Sequence, residues 1–290
     1  MAGGKGGTGK SFIASSLALL LASESHPVIA IDADLGGPNL HTFLGLKELS
    51  KDLGDFVTNK LQRLEESVMP TPFPGLKIVK GSENVLFVAN LNFFKKIRMI
   101  KQIRSLDARQ IILDIGSGSS LNTVDFFVLA NAGIVVVTPE PTSIENTYYF
   151  LKSCVIRLLK LIIDAFQFKE FDAALDAHLQ SKHLTIAHLF NSLEAIHPVD
   201  AQHLYGIYRN YQAHLVVNRA RADADYDLGP SVADMIRKFL HIDINFLGTL
   251  PYDERFDTSL KRFVPLVIER PGAPLAKALR EIAGQIRDSG

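Results

Sequence analysis

The chain has 290 residues, enough to bury a full core as one large α/β domain, and one domain over 1–290 is expected. Lysine plus arginine balance aspartate plus glutamate at 31 each, so no global field favours anionic lipid, and a nucleic-acid partner is not expected. The lone cysteine, Cys154, excludes an intrachain disulfide and a cysteine-rich metal or iron–sulfur site, which suits a reducing, cytoplasmic setting. No signal peptide is read in the Gly-rich first residues, and no apolar run reaches the roughly 18 residues of a spanning helix, so membrane contact is expected to be peripheral at most, at the inner face.

The first stretch, Gly3-Gly4-Lys5-Gly6-Gly7-Thr8-Gly9-Lys10-Ser11, runs straight into an apolar helical segment, Phe12 to Ala22. Gly4 through Ser11 fit G-x-x-x-x-G-K-[ST], a phosphate cradle. Glycines let successive N–H groups face one anion, and the N-terminus of the following helix adds partial positive charge. Lys10 would neutralise β- and γ-phosphate oxygens, and the Ser11 hydroxyl would complete a Mg²⁺ shell. A flexible glycine-rich tail is the competing reading, and the helix that follows argues against it.

With its second lysine, Lys5, the stretch GKGGTGKS resembles the deviant Walker A motif of the MinD/ParA family of ATPases. The resemblance implies that Lys5 reaches across a homodimer to the partner's nucleotide, so an ATP-dependent homodimer is expected. Members of that family enter the loop from a central apolar strand. Here only Met1 and Ala2 precede Gly3, so either the sequence starts late or is trimmed, or the fold lacks its first strand, and severe destabilisation is expected for the chain as written.

Helical spacing over Ser11 to Ser23 stops at Ser25-His26-Pro27, and Val28 to Ile31 reads as a strand buried on both faces. It ends in Asp32-Ala33-Asp34, acids at the carboxyl end of a strand, where open α/β sheets bind ligands. An N-cap or Asx-turn at Asp34 is the structural alternative. IDADLGGPNLHTFLG also resembles switch I of MinD and its flagellar relative FlhG. That likeness implies that Asp34 places the hydrolytic water and Asp32 supports the metal.

Residues 43 to 75 read as helix and loop, and Leu76 to Val79 as a strand. Lys95 to Arg104 is a basic helical segment whose charges are expected to form a solvated face, with a partner-binding patch as the alternative. Gln110 to Gly118 is an apolar strand ending in Asp114, then Gly116, as a Walker B acid and switch II loop require. Asp114 would hold the Mg²⁺ shell, and the Gly116 N–H would sense the γ-phosphate. Gly133 to Thr138 is the next buried strand. The loop Pro139 to Ile144 resembles the family's loop at the dimer seam.

Residues 147 to 212 read as a helical insertion, longer than the single helix and short link that related ATPases place there. Leu151 to Phe166 is apolar almost all round except for a narrow, mostly basic stripe that includes Lys152, Arg157 and Lys160. Burial in a helical subdomain is one reading; a peripheral membrane or partner helix is the other. His178, His183, His188, His197, His203 and His214 lack the spacing of a zinc site.

His214 to Val217 and Ile244 to Leu250 read as strands, with Gly229 to Phe239 as the intervening helix. By the family resemblance Asn218, Arg219, Pro251 and Asp253 line the adenine pocket. Pro265 to Ile268 matches the family's closing strand, and a packing helix carries Leu275, Leu279, Ile282 and Ile286. The alternation gives an α/β, doubly wound, mainly parallel sheet of the P-loop NTPase class. The expected function is an ATPase that binds Mg-ATP, dimerises and hydrolyses slowly as a switch regulating a division, flagellar or similar assembly, with an unidentified protein partner. A nucleotide-gated scaffold that does not hydrolyse, acting through the insertion, is the alternative.

Overall fold

A computed structural model describes residues 1–82, 91, 93–180 and 185–288. In chain order the elements are α1 (Lys10–Leu21), β1 (Val28–Ala33), α2 (Leu40–Phe43), α3 (Leu53–Val57), a 3₁₀ turn (Leu64–Ser67), β2 (Met69–Pro70), β3 (Leu76–Val79) and α4 (Phe93–Arg104). There follow β4 (Gln110–Ile115), α5 (Leu121–Val128), β5 (Gly133–Val137), α6 (Pro141–Phe166), α7 (Lys169–Gln180), α8 (Ile186–Ile196), α9 (Pro198–Arg209) and β6 (Gln212–Ala220). The chain closes with α10 (Asp223–Tyr226), α11 (Leu228–Leu240), β7 (Asp243–Pro251), α12 (Phe256–Lys261), α13 (Leu266–Glu269) and α14 (Pro274–Asp288).

Strands run in the order β2-β3-β1-β4 and β5-β6-β7, parallel throughout except for the short β2. Met1 and Ala2 occupy the slot between β4 and β5. Ala2 N–H donates to Ile134 O at 2.8 Å and Ala2 O accepts from Val136 N–H at 2.9 Å, while Met1 O accepts from Ile115 N–H at 3.2 Å. The expected lack of a first strand is therefore met by a two-residue bridge that joins both halves of the sheet immediately before the glycine loop.

Period-two alternation sends residues of each central strand to opposite cores. Ile29, Ile31, Val135 and Val137 join the core under α4, α5, α6 and α11, whereas Val28, Ala30, Val136 and Val216 join the core under α1 and α14. Pro265 to Ile268 is not a strand. Residues Leu266–Glu269 form the short helix α13, whose Leu266 and Val267 are buried against the α1 side. A short apolar run fits a strand or a buried helical turn equally well, and here its side chains pack on the α1 side as a helical turn.

The segment read as a membrane or partner helix is the second half of α6, continuous from its N-terminal Pro141. Leu151, Val155 and Leu159 are wholly buried, and Cys154, Ile162 and Ile163 nearly so. Each such aliphatic side chain contributes roughly 1.5–3 kcal/mol when removed from water. Two of the three cations of the basic stripe are answered within the chain: Arg157 pairs with Asp125, and Lys160 with Asp164 and Asp172. The membrane reading of 151 to 166 is thereby corrected, since the broad apolar surface is core. The solvated reading of Lys95 to Arg104 is corrected in part, because Lys96 is buried and paired with Asp125. His183 lies outside the described residues.

Candidate functional site

The loop leaves the sheet at Gly3 and is shaped by what surrounds it. Gly7 and Gly9 have φ of +79° and +93°, where a side chain is strained. Gly4 meets a wall: a Cβ there would lie 2.1–2.4 Å from backbone atoms of Asn146 and Thr147 in α6. Gly118 N–H donates to Gly3 O at 3.1 Å, tying the loop after β4 to the loop before α1. Helix α1 opens at Lys10 with no side-chain cap and no acid in its first turn. Its first amides thus remain available to an anion.

Parallel pairing of β1 with β4 sets Asp32 beside Asp114 in register, so both side chains project from the same face. Both carboxyls are buried. Asp32 Oδ1 accepts from Asp34 N–H at 3.2 Å and Oδ2 from Leu40 N–H at 3.0 Å, so its present work is to pin the loop after β1. Burial, then the Asp114 charge, push the Asp32 carboxyl up to about 7 against the pull of those two amides. Burial likewise raises Asp114 to about 6, opposed first by the Ser11 hydroxyl and then by the chain's amino group and Lys10. Lys10, itself buried, is lowered by desolvation and held up by Asp114 and Asp34. Loop, lysine, hydroxyl and acids are therefore one electrostatic unit.

Asp34 stands at the rim. Its Oδ1 accepts from Gly36 and Gly37 N–H at 3.0 and 3.2 Å, an Asx-type turn, and lies 3.1 Å from where a Gly116 Cβ would be. Oδ2 carries no hydrogen bond among the described residues. Asp34, Gly36, Gly37, Gly116, Ser117 and Ser120 help line a cleft of about 420 Å³ between the two switch-like loops.

The residues assigned to the base pocket are engaged with the protein here. Asn218 Nδ2 donates to Thr8 O at 2.8 Å, and its Oδ1 accepts from Arg219 N–H at 2.9 Å. A register shift between Val217 and Ala220 forms the bulge, with Arg219 left-handed at φ +64°. Pro251 ends β7 opposite Ala220. Asp253 is held by Arg255 through Nε–Oδ1 at 2.8 Å and Nη2–Oδ2 at 2.7 Å, so both its oxygens have partners. The Arg255 guanidinium keeps the carboxyl below its ordinary range. Nothing in the spacing of Asp253 and Arg255 marks them as a pair, since two residues apart in a turn they need not face each other.

Lys5 points back onto its own chain. Its Nζ contacts Glu140 Oε2 at 2.9 Å and Thr142 Oγ1 at 3.4 Å, at the start of α6. Glu140 and Thr142 were legible only as part of the loop that resembles the family's dimer seam.

Thr8 Oγ1 and both Asp114 oxygens are buried without a hydrogen bond of good geometry, beside free helix amides and a buried lysine. Those groups fit a nucleotide phosphate with Mg²⁺: acceptors of Asp114 and Ser11 for the metal, donors of Gly6 to Ser11 for the anion.

A parallel sheet with a glycine loop entering an uncapped helix, and acids at the ends of neighbouring strands, defines a P-loop nucleotide-binding protein. Residues 1–266 match the model of the CobQ/CobB/MinD/ParA nucleotide binding domain, and the chain belongs to that family. It is similar to the antiactivator FleN of Pseudomonas aeruginosa, 30% identical over 152 residues, 52% of this chain and 53% of FleN. The chain thus spans about half the length of FleN. An uncharacterized ATP-binding protein of Methanocaldococcus jannaschii is 24% identical over 286 residues, 99% of this chain and 86% of that protein. The septum site-determining protein MinD of Pyrococcus horikoshii, complexed with Mg-ADP, shares the fold with a TM-score of 0.66 at 19% identity, over 99% of this chain and 96% of that one. Flagellum and septum site-determining proteins are thus among this chain's homologues.

Proposed function

We propose that the protein is an ATP-operated switch: it binds Mg-ATP, dimerises with a second copy, hydrolyses slowly, and in doing so positions or regulates a cellular assembly through a protein partner. The observation that carries this reading is the set of unanswered groups at one point, namely the uncapped amides of α1 and the buried acceptors of Asp114 beside Lys10. Gly4, Lys5, Gly6, Gly7, Thr8, Gly9 and Lys10 enclose the phosphates, with Ser11, Asp114 and, behind them, Asp32 on the metal side. Mg²⁺ bound there supplies charge neutralisation to the β- and γ-phosphates. Lys10 Nζ donates to the γ-phosphate oxygens and compensates the charge that spreads over them. Asp34 Oδ2 accepts a proton-bearing water and aims it in line, while its Oδ1 stays fixed by Gly36 and Gly37. Gly116 N–H reads the γ-phosphate. Asn218, Arg219, Pro251 and Asp253 border the base.

Lys5 serves the dimer. For it to reach a second copy's nucleotide, its contacts with Glu140 and Thr142 must open. Phosphate release and ATP-dependent dimerisation of wild type, Lys5→Ala and Asp34→Ala test the proposal. Asp34→Ala should retain nucleotide and lose turnover, whereas Lys5→Ala should lose the ATP-bound dimer. Wild-type protein with neither turnover nor dimer would be a nucleotide-gated scaffold instead.

A further inference from the structure

One buried charged cluster lies outside the nucleotide site. Asp125 on α5 is 3% exposed. Its Oδ1 accepts from Arg157 Nε of α6 at 2.5 Å, and its Oδ2 is paired with Lys96 Nζ of α4. The Lys96 side chain is 9% exposed and that of Arg157 is 25% exposed. Desolvating three charges is costly, and apolar side chains of similar volume often hold such a junction as stably or better. Stability alone therefore does not account for the cluster.

An ion pair with directed N–H···O bonds adds what an apolar contact lacks: it fixes distance and register between the elements it joins. The elements joined here are those that carry the loops of the site. Helix α5 begins where the Gly116–Ser119 loop ends, with Ser120 Oγ accepting from Thr123 N–H at 3.2 Å as its cap. That loop meets the phosphate loop through Gly118 N–H and Gly3 O. Helix α6 is the wall against which Gly4 lies, and it presents Thr142 to Lys5. One carboxylate thus bolts the helix leaving the second loop to the helix supporting the first.

We infer that Asp125, with Lys96 and Arg157, is a positioning residue of the nucleotide site, and that this ion cluster sets where the Gly116–Ser119 loop stands against the phosphate loop. The consequence for turnover rests on the switch reading above; the geometric role does not. Hydrogen exchange of the nucleotide-free full chain tests the geometry in the triple variant Lys96→Met, Asp125→Leu, Arg157→Met. The expected result is a melting temperature close to wild type, with amides 116–120 exchanging on the order of tenfold faster. A folded triple variant with wild-type loop protection overturns the proposal. If the triple variant does not fold, Asp125→Glu decides, since it keeps the charge and lengthens the arm by one methylene. Faster exchange at 116–120 with unchanged exchange in α14 supports positioning, and unchanged exchange in both overturns it. Turnover is measured alongside: wild type without turnover defeats the switch reading only, and the exchange result still decides the role of Asp125.

Discussion

At Gly4 the space admits a hydrogen and nothing larger, because the backbone of Asn146 and Thr147 stands where a Cβ would be. Helix backbone gives way less readily than a side chain, so Gly4→Ala should destabilise by about 1–3 kcal/mol and weaken nucleotide binding. Gly37→Ala, at a position with nothing within 4 Å of its Cβ, should stay within about 0.5 kcal/mol of wild type. Denaturant unfolding of the pair checks both, and equal losses would refute the wall. The acids make a second prediction. Asp32, at about 7, and Asp114, at about 6, both lie above the ordinary value of 3.8. The folded chain therefore binds these protons more tightly than the unfolded one. Their stabilising contribution is fully present below about pH 4 and is lost as pH rises through 6 to 7. Carboxyls with lowered values, such as Asp253 and Asp225, titrate below this window and leave the slope alone. The buried amino group of Met1, lowered to about 6, and His178 and His214, lowered by burial, act with the opposite sign in the same window, so the test is differential: relative to Asp114→Asn, nucleotide-free wild type should lose melting temperature between about pH 5.5 and about pH 8. An unaltered slope in the variant would count against the paired-acid account.

Among the elements, α6 shows what a sequence pattern leaves open. A helix that is apolar nearly all round is either buried or in lipid. Its composition does not say which. Packing against α5, α7, α9 and α11 decides for burial, and acids on α5 and α7 pair with Arg157 and Lys160. Leu159→Ala should therefore cost about 2–5 kcal/mol in unfolding experiments and leave liposome flotation unchanged. A variant with full stability and reduced flotation would restore the lipid reading. Among the described residues no helix is long and apolar enough to cross a membrane. Pro265 to Ile268 shows the converse case: Pro265 caps helix α13 and Leu266 to Ile268 lie within it, because a short apolar run fits a buried helical turn as well as a strand.

For the molecule as a whole, the contact between Lys5 and Glu140 is the link between the single chain and the proposed dimer. The pair is exposed on both sides and therefore easily exchanged for other partners. Lys5 draws the Glu140 carboxyl below its ordinary range, a preference for the charged form that Gln cannot supply. Glu140→Gln should raise the dimer fraction at a given ATP concentration, as read by light scattering on a sizing column. A fraction equal to wild type would mean that the cis contact does not restrain Lys5.

Much of this protein was legible in one dimension because its signals are local. The spacing Gly4 to Ser11 specifies a phosphate loop, since backbone freedom and a lysine must fall within one turn of a helix start. The apolar runs before Asp32 and Asp114 specify parallel strands whose ends carry acids, the first fully buried and the second buried only at its acid end. What depended on tertiary structure involves residues far apart in sequence. The bridge by which Met1 and Ala2 join β4 to β5, Asn218 reaching Thr8, Lys5 folded onto Glu140, and Asp125 clamped between Lys96 and Arg157 each require close approach of segments that no periodicity relates. Propensity and pattern act over a few residues and so fix the loop's chemistry. Packing and desolvation act through space, and they decide how firmly that loop is held.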